Sequence, residues 1–443
     1  MDLQTYLRDY EARHPENVLH VERQIDCRHI ATSLVAKLEK QNRFPVLVLD
    51  RVVNILGQES PYPVVTNLLS SRSRCAEIIG STYENVGYAF YQGMSQKRLK
   101  PVIVQREEAP VKQVRVVGDH INLFELPALM HHETDPGVYI TGGYFTCYDP
   151  ETGVDNSTLH RCWIKDKREL RVYLGRHQHA RLNLSKHEQK GQDMRAAIWI
   201  GHHPAAMLGC ETKQGYSESH YEAAGGFLGA PLRLVPSETL GDDFLVPADA
   251  EFVIEGVMKA NCLVPEGPFG EATGHIGPQV QMPYMDVTAI THRSNAYWVD
   301  FQAGYAENRL MLGLPVEGGI NAVHIADVVD GHLAALERGK TGERYILGGE
   351  NLTLLELLEK IGGVVGTPAP NLVLPAWLVR AGGGLAGLLH NFLDLPVPPE
   401  LFRMAGYYFY YDTRKAQVEL GLAPPRPVEE AVTEAFEWFQ RAR

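Results

Sequence analysis

The sequence predicts an α+β chain of several domains, because the pattern of predicted helices and strands changes twice along its 443 residues. Residues 1–112 combine helical apolar spacing with a short strand-like run, which indicates an N-terminal α/β lobe. Residues 113–312 carry strand-like runs separated by Gly, Pro and polar clusters. This pattern favours a barrel or a mixed sheet over a βαβ winding. Residues 313–443 are predicted to be mostly helical.

Each element of the N-terminal lobe follows from a local pattern. Apolar residues recur at helical spacing over Leu3–Leu7 and over Ile30–Leu38, which predicts two helices. The apolar run at 44–53 has the character of a strand. A loop then leads into a third helix, for which Ser70 or Ser71 is the candidate N-cap.

The central region is predicted from seven strand-like runs punctuated by turns rather than by long amphipathic helices. They are 113–118, 137–153, 157–165, 195–201, 232–237, 286–292 and 296–301.

The C-terminal segment is predicted to open with a short strand and a helix that ends at Gly339. A strand at 343–349 and a helix capped by Thr353 follow. The last segment is a strongly amphipathic helix opened by Pro427.

Composition limits the classes of function. A formal charge of −12 and the lack of a long basic run argue against a nucleic-acid surface. The polar, acidic N-terminus fits neither a secretory signal nor a transit peptide. The most apolar stretch, 371–397, is interrupted by Pro375, Arg380, His390 and Asp394, so a transmembrane segment is not expected. An interfacial or partner-covered helix is the alternative there.

The cysteines are scattered without a CxxC pair, which fits reduced, mostly buried thiols in a cytoplasmic protein. They are Cys27, Cys75, Cys147, Cys162, Cys210 and Cys262.

The most informative stretch is the turn Glu266-Gly-Pro-Phe-Gly-Glu271. Proline fixes one φ and glycine permits positive φ, so the chain folds back and brings two carboxylates towards one place. If both point into a cleft, their repulsion makes one of them a proton donor. An acidic surface turn is the alternative interpretation.

Four polar residues upstream are candidates for the same site. Asn156, His179 and Glu218 offer two oxygens and one nitrogen, a set that suits Mn²⁺ or Mg²⁺ carrying a phosphate. These three residues are far apart in the sequence, so no local motif identifies them as ligands. For His179 the alternative is an ordinary surface residue, because a histidine between arginines is usually exposed. Arg161 lies among apolar residues and therefore needs a buried anion. That anion is either an ordinary ion-pair partner, a substrate carboxylate or one of the turn glutamates.

Together these motifs resemble the UbiD family of prenylated-flavin-dependent decarboxylases. Asn-Ser-Thr-Leu-His-Arg at 156–161 resembles the family's Asn-x-x-Ile-x-Arg motif, with Leu159 in place of the usual Ile. The motifs at 176–179, 217–219 and 266–271 follow in the family's order and at similar separations. The resemblance covers roughly residues 1–312.

The resemblance implies a split β-barrel flavin-binding domain at 113–312 and a decarboxylase acting on an aromatic or α,β-unsaturated acid. Asn156, His179 and Glu218 would hold Mn²⁺ (or Mg²⁺) at the phosphate of prenylated FMN, with K⁺ nearby. Arg161, Glu266 and Glu271 would form the catalytic set beside the flavin ring, in which Glu271 gives the proton and Arg161 also binds the cofactor. A flavin prenyltransferase would supply the cofactor.

The family's usual third domain is not recognisable in the sequence. Residues from about 314 instead resemble the C-terminal part of sugar-nucleotide epimerases, especially the hopanoid-associated type. Two matches to that class's chemistry are interpreted as false. Gly382–Gly387 has the spacing of a dinucleotide-binding loop but follows a helix. Tyr411 and Lys415 have the Tyr-x-x-x-Lys spacing but would not share a helical face.

The sequence therefore leaves three hypotheses. The chain is an active lyase, a catalytically impaired fusion that acts as a binding or scaffold protein, or a nucleotide-sugar binder through its C-terminal part. The identity of the acid and the oligomeric state stay open, and a homo-oligomer is one outcome.

Overall fold

A computed structural model describes residues 1–302, 319–366 and 408–441, except 42, 84, 87, 88, 91, 94–96, 177 and 272–275. The chain divides into two compact units, Met1–Asn308 and Arg309–Arg443. The predicted junction near 312–318, the apolar stretch 371–397 and the glycine-rich match at 382–387 lie outside the described residues.

Six α-helices of the first unit are described, and they are Leu3–Arg13, Ile30–Lys40, Arg72–Ile78, His179–Gln189, Pro204–Cys210 and His220–Leu228. The first two confirm the helices predicted from apolar spacing. Ser71 caps the third, since its side chain accepts a hydrogen bond from the backbone N–H of Arg74. The other three were not predicted.

The strands of the first unit are short except for two long ones. In chain order they are β1 Val18–Val21, β2 Ile25–Asp26, β3 Val46–Leu49, β4 Val52–Val53, β5 Val64–Thr66, β6 Val102–Ile103, β7 Val114–Val117, β8 Tyr139–Ile140, β9 Gly143–Tyr148, β10 Asp155–Leu159, β11 Cys162–Asp166, β12 Glu169–Val172, β13 Met194–Ile200, β14 Arg233–Pro236, β15 Leu245–Pro247, β16 Phe252–Glu266, β17 Phe269–Gly270, β18 Ile276–Gly277, β19 Val280–His292 and β20 Trp298–Asp300.

The N-terminal lobe is built on a four-stranded sheet in the order β1-β3-β5-β20. Its last strand comes from far along the chain, and Trp298, Val299 and Asp300 pair in parallel with Val64–Thr66. Gly142 allows this return, because a Cβ there would lie 2.4 Å from the carbonyl oxygen of Val299.

The central region forms a nine-stranded sheet with the order β10-β9-β13-β16-β19-β12-β11-β8, and β7 pairs with β19. The mixed α/β character is as predicted. The barrel is not: among the described strands, no pairing joins the two ends of this order, β10 and β8. Sequence patterns locate strands but carry little information about whether a sheet closes, since closure depends on tilt and stagger.

One hydrophobic core extends under both sheets, from Leu3 in the first helix to Val299 in β20. All six cysteines are unpaired, and four of them are buried. Within the described part of the chain, no helix has the length and apolar character that a membrane crossing requires.

The second unit contains the helices Ile325–Arg338, Leu354–Val365, Arg414–Leu420 and Val428–Arg441, and the strands β21 Gly319–Ala322, β22 Glu350–Thr353 and β23 Tyr408–Phe409.

Several local predictions for this unit are confirmed. Gly339 follows the first helix, and Thr353 and Glu356 form a reciprocal capping box at the second. The strand predicted at 343–349 is wrong: that segment is irregular, and the strand lies at Glu350–Thr353. Tyr411 precedes the helix that carries Lys415, so the two do not share a helical face.

Candidate active site

Arg161 lies in the two-residue corner between β10 and β11. The preceding His160 is buried, and its ring nitrogens contact the hydroxyl of Thr158 and the carbonyl oxygen of Tyr173, each at 2.9 Å. The backbone N–H of Tyr173 donates to the carbonyl of Arg161, and its ring lies 4.2 Å from the guanidinium carbon. The corner therefore fixes both the backbone and the side chain of Arg161.

Both glutamates of the acidic turn contact this arginine. Nε and Nη2 of Arg161 donate to the two oxygens of Glu266 at 3.1 and 2.7 Å, a bidentate pair. Nη1 of Arg161 donates to Glu271. The phenol of Tyr139 also donates to Glu266, at 3.1 Å. The anion that the sequence demanded for Arg161 is thus supplied by the turn itself.

The two carboxylates differ in their environment. Glu266 ends the long strand β16 and is fully buried, whereas the side chain of Glu271 is 42 % exposed. Glu266 has both oxygens bound by Arg161, while Glu271 has one oxygen against it. Glu271 is therefore the carboxyl group that a bound molecule can reach.

Aromatic rings enclose the buried end of this cluster. The ring of Phe269 lies 4.8 Å from the guanidinium carbon of Arg161 and 4.5 Å from the ring of Tyr139. Tyr139 in turn stacks on Trp163. Such walls exclude water and strengthen the charge interactions inside them.

The enclosure changes the titration of two members of the site. Burial, reinforced by the Glu266 charge, raises the pKa of the Tyr139 phenol well above its ordinary value, so it stays a hydrogen-bond donor. Burial opposes the charge of Arg161, yet the hydrogen bonds and attraction from Glu266, together with Glu271, hold its pKa above the ordinary value.

The turn has the geometry that its residues require. Gly267 adopts φ +84°, and the bond between Gly267 and Pro268 is cis. Phe269 and Gly270 then form β17, which pairs antiparallel with β18. This hairpin places Glu271 next to Arg161.

Each of the three predicted metal ligands has its own set of contacts in the structure. Asn156 lies in β10 and is buried, and its Oδ1 has no hydrogen-bond partner among the described residues. His179 is the first residue of the helix His179–Gln189, and burial lowers its pKa. Glu218 instead accepts from the backbone of Gly215 at 2.6 Å and pairs with Arg98 at 2.9 Å.

His220 interacts with all three of these residues, electrostatically in the case of Glu218, and was missed by sequence reasoning. Its Nδ1 lies 3.5 Å from Nδ2 of Asn156, and its ring centroid is 6.4 Å from that of His179. Burial, with His179 nearby, lowers the pKa of His220 to about 4, so its ring is neutral. Among the described residues, no group of three or more His, Cys, Asp or Glu side chains is arranged to hold a metal ion.

Comparison with known proteins assigns the central region to a class. Residues 102–306 match the family UbiD, described as the 3-octaprenyl-4-hydroxybenzoate carboxy-lyase Rift-related domain. The matched region is thus similar to the UbiD-family domain, and it holds all six predicted site residues.

Curated relatives support the same class. A phenolic acid decarboxylase of Sedimentibacter hydroxybenzoicus is 32% identical over 255 residues, covering 55% of this chain and 52% of the relative. An anhydromevalonate phosphate decarboxylase of Methanothermobacter thermautotrophicus is 30% identical over 265 residues, covering 59% of each. The chain spans between half and three fifths of the length of these relatives.

Solved structures share the fold. The UbiD-class enzyme HmfF of Pelotomaculum thermopropionicum, in complex with FMN, matches with a TM-score of 0.62 at 28% identity over 68% of this chain and 65% of that one. Vanillic acid decarboxylase of Sedimentibacter hydroxybenzoicus in its closed form matches with a TM-score of 0.62 at 27% identity, over 69% and 64%.

Proposed function

We propose that this protein is a non-oxidative carboxy-lyase that removes CO₂ from an aromatic or α,β-unsaturated carboxylic acid with prenylated FMN as cofactor. The observation that carries the proposal is the single guanidinium of Arg161, which binds Glu266 and Glu271 together inside the region similar to the UbiD-family domain. The named relatives are decarboxylases, which supports the reaction class.

Arg161, Glu266 and Glu271 have different roles in this proposal, which follow from their different contacts. Glu266 is fully buried and fixes the guanidinium plane of Arg161 through two hydrogen bonds. Arg161 orients the substrate carboxylate and keeps Glu271 at the mouth of the cluster. Glu271, exposed on one side, gives the proton to the carbon that loses CO₂.

Accessibility favours Glu271 over Glu266 as the group that delivers the proton. The side chain of Glu271 is 42 % exposed and one of its oxygens contacts Arg161, whereas Glu266 is fully buried and has both oxygens bound by Arg161. The proton that Glu271 delivers takes the place of the departing CO₂ on the substrate carbon.

When bound, prenylated FMN supplies the electron-accepting ring that makes loss of CO₂ from an unsaturated carbon feasible. Asn156, His179 and Glu218 would hold Mn²⁺ or Mg²⁺ at its phosphate, with K⁺ as a further cation. The donors suit such an ion: no described residue hydrogen-bonds to the buried Oδ1 of Asn156, and burial lowers the pKa of His179, which favours the neutral, metal-binding form of its ring. Glu218 would exchange its contact with Arg98 for the metal.

The same proposal covers the partners. A flavin prenyltransferase would supply the cofactor, a small carboxylic acid is the substrate, and the enzyme acts in the cytoplasm, with a homo-oligomer as one outcome for its assembly. An evolved dimeric form of HmfF in complex with prenylated FMN has been solved. Nucleotide-sugar binding by the second unit stays a separate prediction.

The direct test is co-expression with a flavin prenyltransferase, followed by purification with Mn²⁺ and K⁺. We expect flavin absorbance in the purified protein and CO₂ release from a panel that includes vanillic and 3,4-dihydroxybenzoic acids and α,β-unsaturated acids. The matched control is Glu271→Gln, which should retain flavin and release none.

Two results would contradict the proposal. A flavin-loaded protein that neither releases CO₂ nor exchanges hydrogen between product and solvent would refute the lyase. Absence of bound flavin would favour the non-catalytic fusion, and selective thermal protection by a nucleotide sugar would favour the third hypothesis.

A further inference from the structure

A buried aspartate outside the predicted catalytic set holds the backbone next to Glu271. The Asp135 side chain is fully buried, and its Oδ1 accepts a hydrogen bond from the backbone N–H of Gly270 at 3.3 Å. Its Oδ2 accepts from the backbone N–H groups of His131 and His132 at 3.2 and 2.8 Å. One carboxylate thus joins the 131–135 segment to the residue directly before Glu271.

The backbone of Gly270 also packs closely against the side chain of His132. A Cβ at Gly270 would lie 2.2 Å from the ring of His132, so only glycine lets β17 approach this segment. The same ring lies 6.3 Å from that of Phe269 and 3.5 Å from Asp135. The acidic turn therefore packs against the ring of His132 through Phe269 and Gly270.

The segment that holds the turn is itself anchored. Nε2 of His131 lies 2.9 Å from Oδ1 of Asp300, and both side chains are fully buried. The hydroxyl of Thr141 donates to the other oxygen of Asp300 at 2.9 Å. A buried hydrogen-bond network of this kind gives Asp135 a rigid base.

The same segment also reaches the other end of the turn. Tyr139 donates to Glu266, whereas Asp135 accepts from Gly270, so residues 135 and 139 hold the turn on both sides of Gly267 and Pro268. Burial opposes the charge of Asp135, but hydrogen bonds from His132 and Gly270 hold its pKa below the ordinary value.

We propose that Asp135 is a positioning residue that aligns Glu271 for proton delivery by fixing the backbone of Gly270. This inference rests on the proposed function, because it concerns the step that Glu271 performs there. Asp135 touches neither Glu271 nor Arg161 in any described contact. Its effect is expected to reach the reaction through backbone placement alone.

The test compares Asp135→Asn and Asp135→Ala with wild type, each loaded with flavin. The amide introduced by Asp135→Asn can accept only through one oxygen, and its NH₂ faces backbone N–H groups, so the contact to Gly270 is lost or weakened. Misplacement of a reacting group by about 1 Å costs on the order of 100-fold in rate. We expect kcat to fall roughly 10- to 100-fold with KM and flavin content unchanged.

Two further measurements separate positioning from general damage. Hydrogen exchange of the Gly270 amide, read from a peptide covering 267–271, should accelerate in both variants with or without cofactor. The solvent deuterium isotope effect on kcat should rise, because proton delivery becomes slower than the other steps.

Glu255→Gln is the matched control. Glu255 is also fully buried and accepts from the successive backbone N–H groups of Glu238 and Thr239 at 2.7 and 2.8 Å. This variant should lower the melting temperature while leaving kcat and the isotope effect at wild-type values.

The outcomes are distinct. A wild type that turns over while Asp135→Ala keeps full kcat would overturn the inference. So would a loss of kcat matched by equal loss of flavin and unchanged exchange at Gly270. A fully loaded wild type without turnover would refute the proposed function instead, and the Gly270 exchange rates would then decide whether Asp135 holds the turn.

Discussion

The ion pair between Arg161 and Glu266 permits a quantitative test on the protein without cofactor. Arg161→Met keeps much of the side-chain volume but leaves the fully buried Glu266 without its bidentate partner. Loss of one member of a buried pair typically costs about 3–5 kcal/mol, because the remaining charge stays desolvated. We expect a loss of this size in the free energy of unfolding.

The double variant reveals how much of that loss is due to the unpaired charge. Glu266→Gln in the Arg161→Met background removes the buried charge, so the combined loss should fall below the sum of the two single losses. We expect a coupling energy of about 2–3 kcal/mol, at the upper end for residues in contact.

An exposed pair that is also bidentate serves as the control. Arg195 and Asp243 are joined by two hydrogen bonds of 2.8 and 2.7 Å, but their side chains are 45% and 71% exposed. Because exposed pairs contribute less than about 1 kcal/mol, the cycle of Arg195→Met and Asp243→Asn should give a small coupling energy.

The assay is urea unfolding of all six variants and wild type, extrapolated to water. The reasoning is refuted if the buried cycle is additive within about 0.5 kcal/mol, or if the exposed pair shows the larger coupling.

The remaining predictions concern turnover, cofactor retention and pH. Glu271→Gln should keep bound flavin but lose turnover, and full activity would remove Glu271 from the proton-donor role. Asn156→Ala and His179→Ala should each lower the metal and flavin content measured on the purified protein; unchanged metal in both would refute the ligand assignment. Burial lowers the pKa of His160 to about 4 and that of His202 to about 3, so both are neutral in the folded protein. Unfolded histidine titrates near 6.5, so their contribution to stability is complete above that pH and is lost as pH falls towards 4, by roughly 3 kcal/mol for each. Unfolding free energies that stay flat between pH 7 and 4 would contradict this, and His160→Gln should reduce the slope.

Local structure was predictable wherever a residue pattern is itself the cause of the element. The apolar spacing at Leu3–Leu7, the cap at Ser71 and the cap at Thr353 each act within a few residues, and each is confirmed. The helix His220–Leu228 was missed because nearly all of its residues are buried, so it shows no contrast between two faces.

The candidate site was predictable in its residue types but not in its partners. An arginine among apolar residues predicts a buried anion nearby. No local pattern shows that this anion is Glu266, which lies 105 positions further along the chain. Tyr139, Asp135 and His220 look like ordinary residues of a strand, a turn and a helix. Their roles depend on contacts between distant segments, which spacing does not encode.

The return of β20 to the N-terminal sheet has a consequence for synthesis on the ribosome. The edge of β5 gains its partner only when Trp298–Asp300 has been translated, more than 230 residues after Val64–Thr66. Until then the nascent lobe exposes an unpaired strand, which is a place for chaperone binding or for wrong pairing. Expression pieces that stop at residue 112 should therefore aggregate, whereas those extending through residue 302 retain the closing strand.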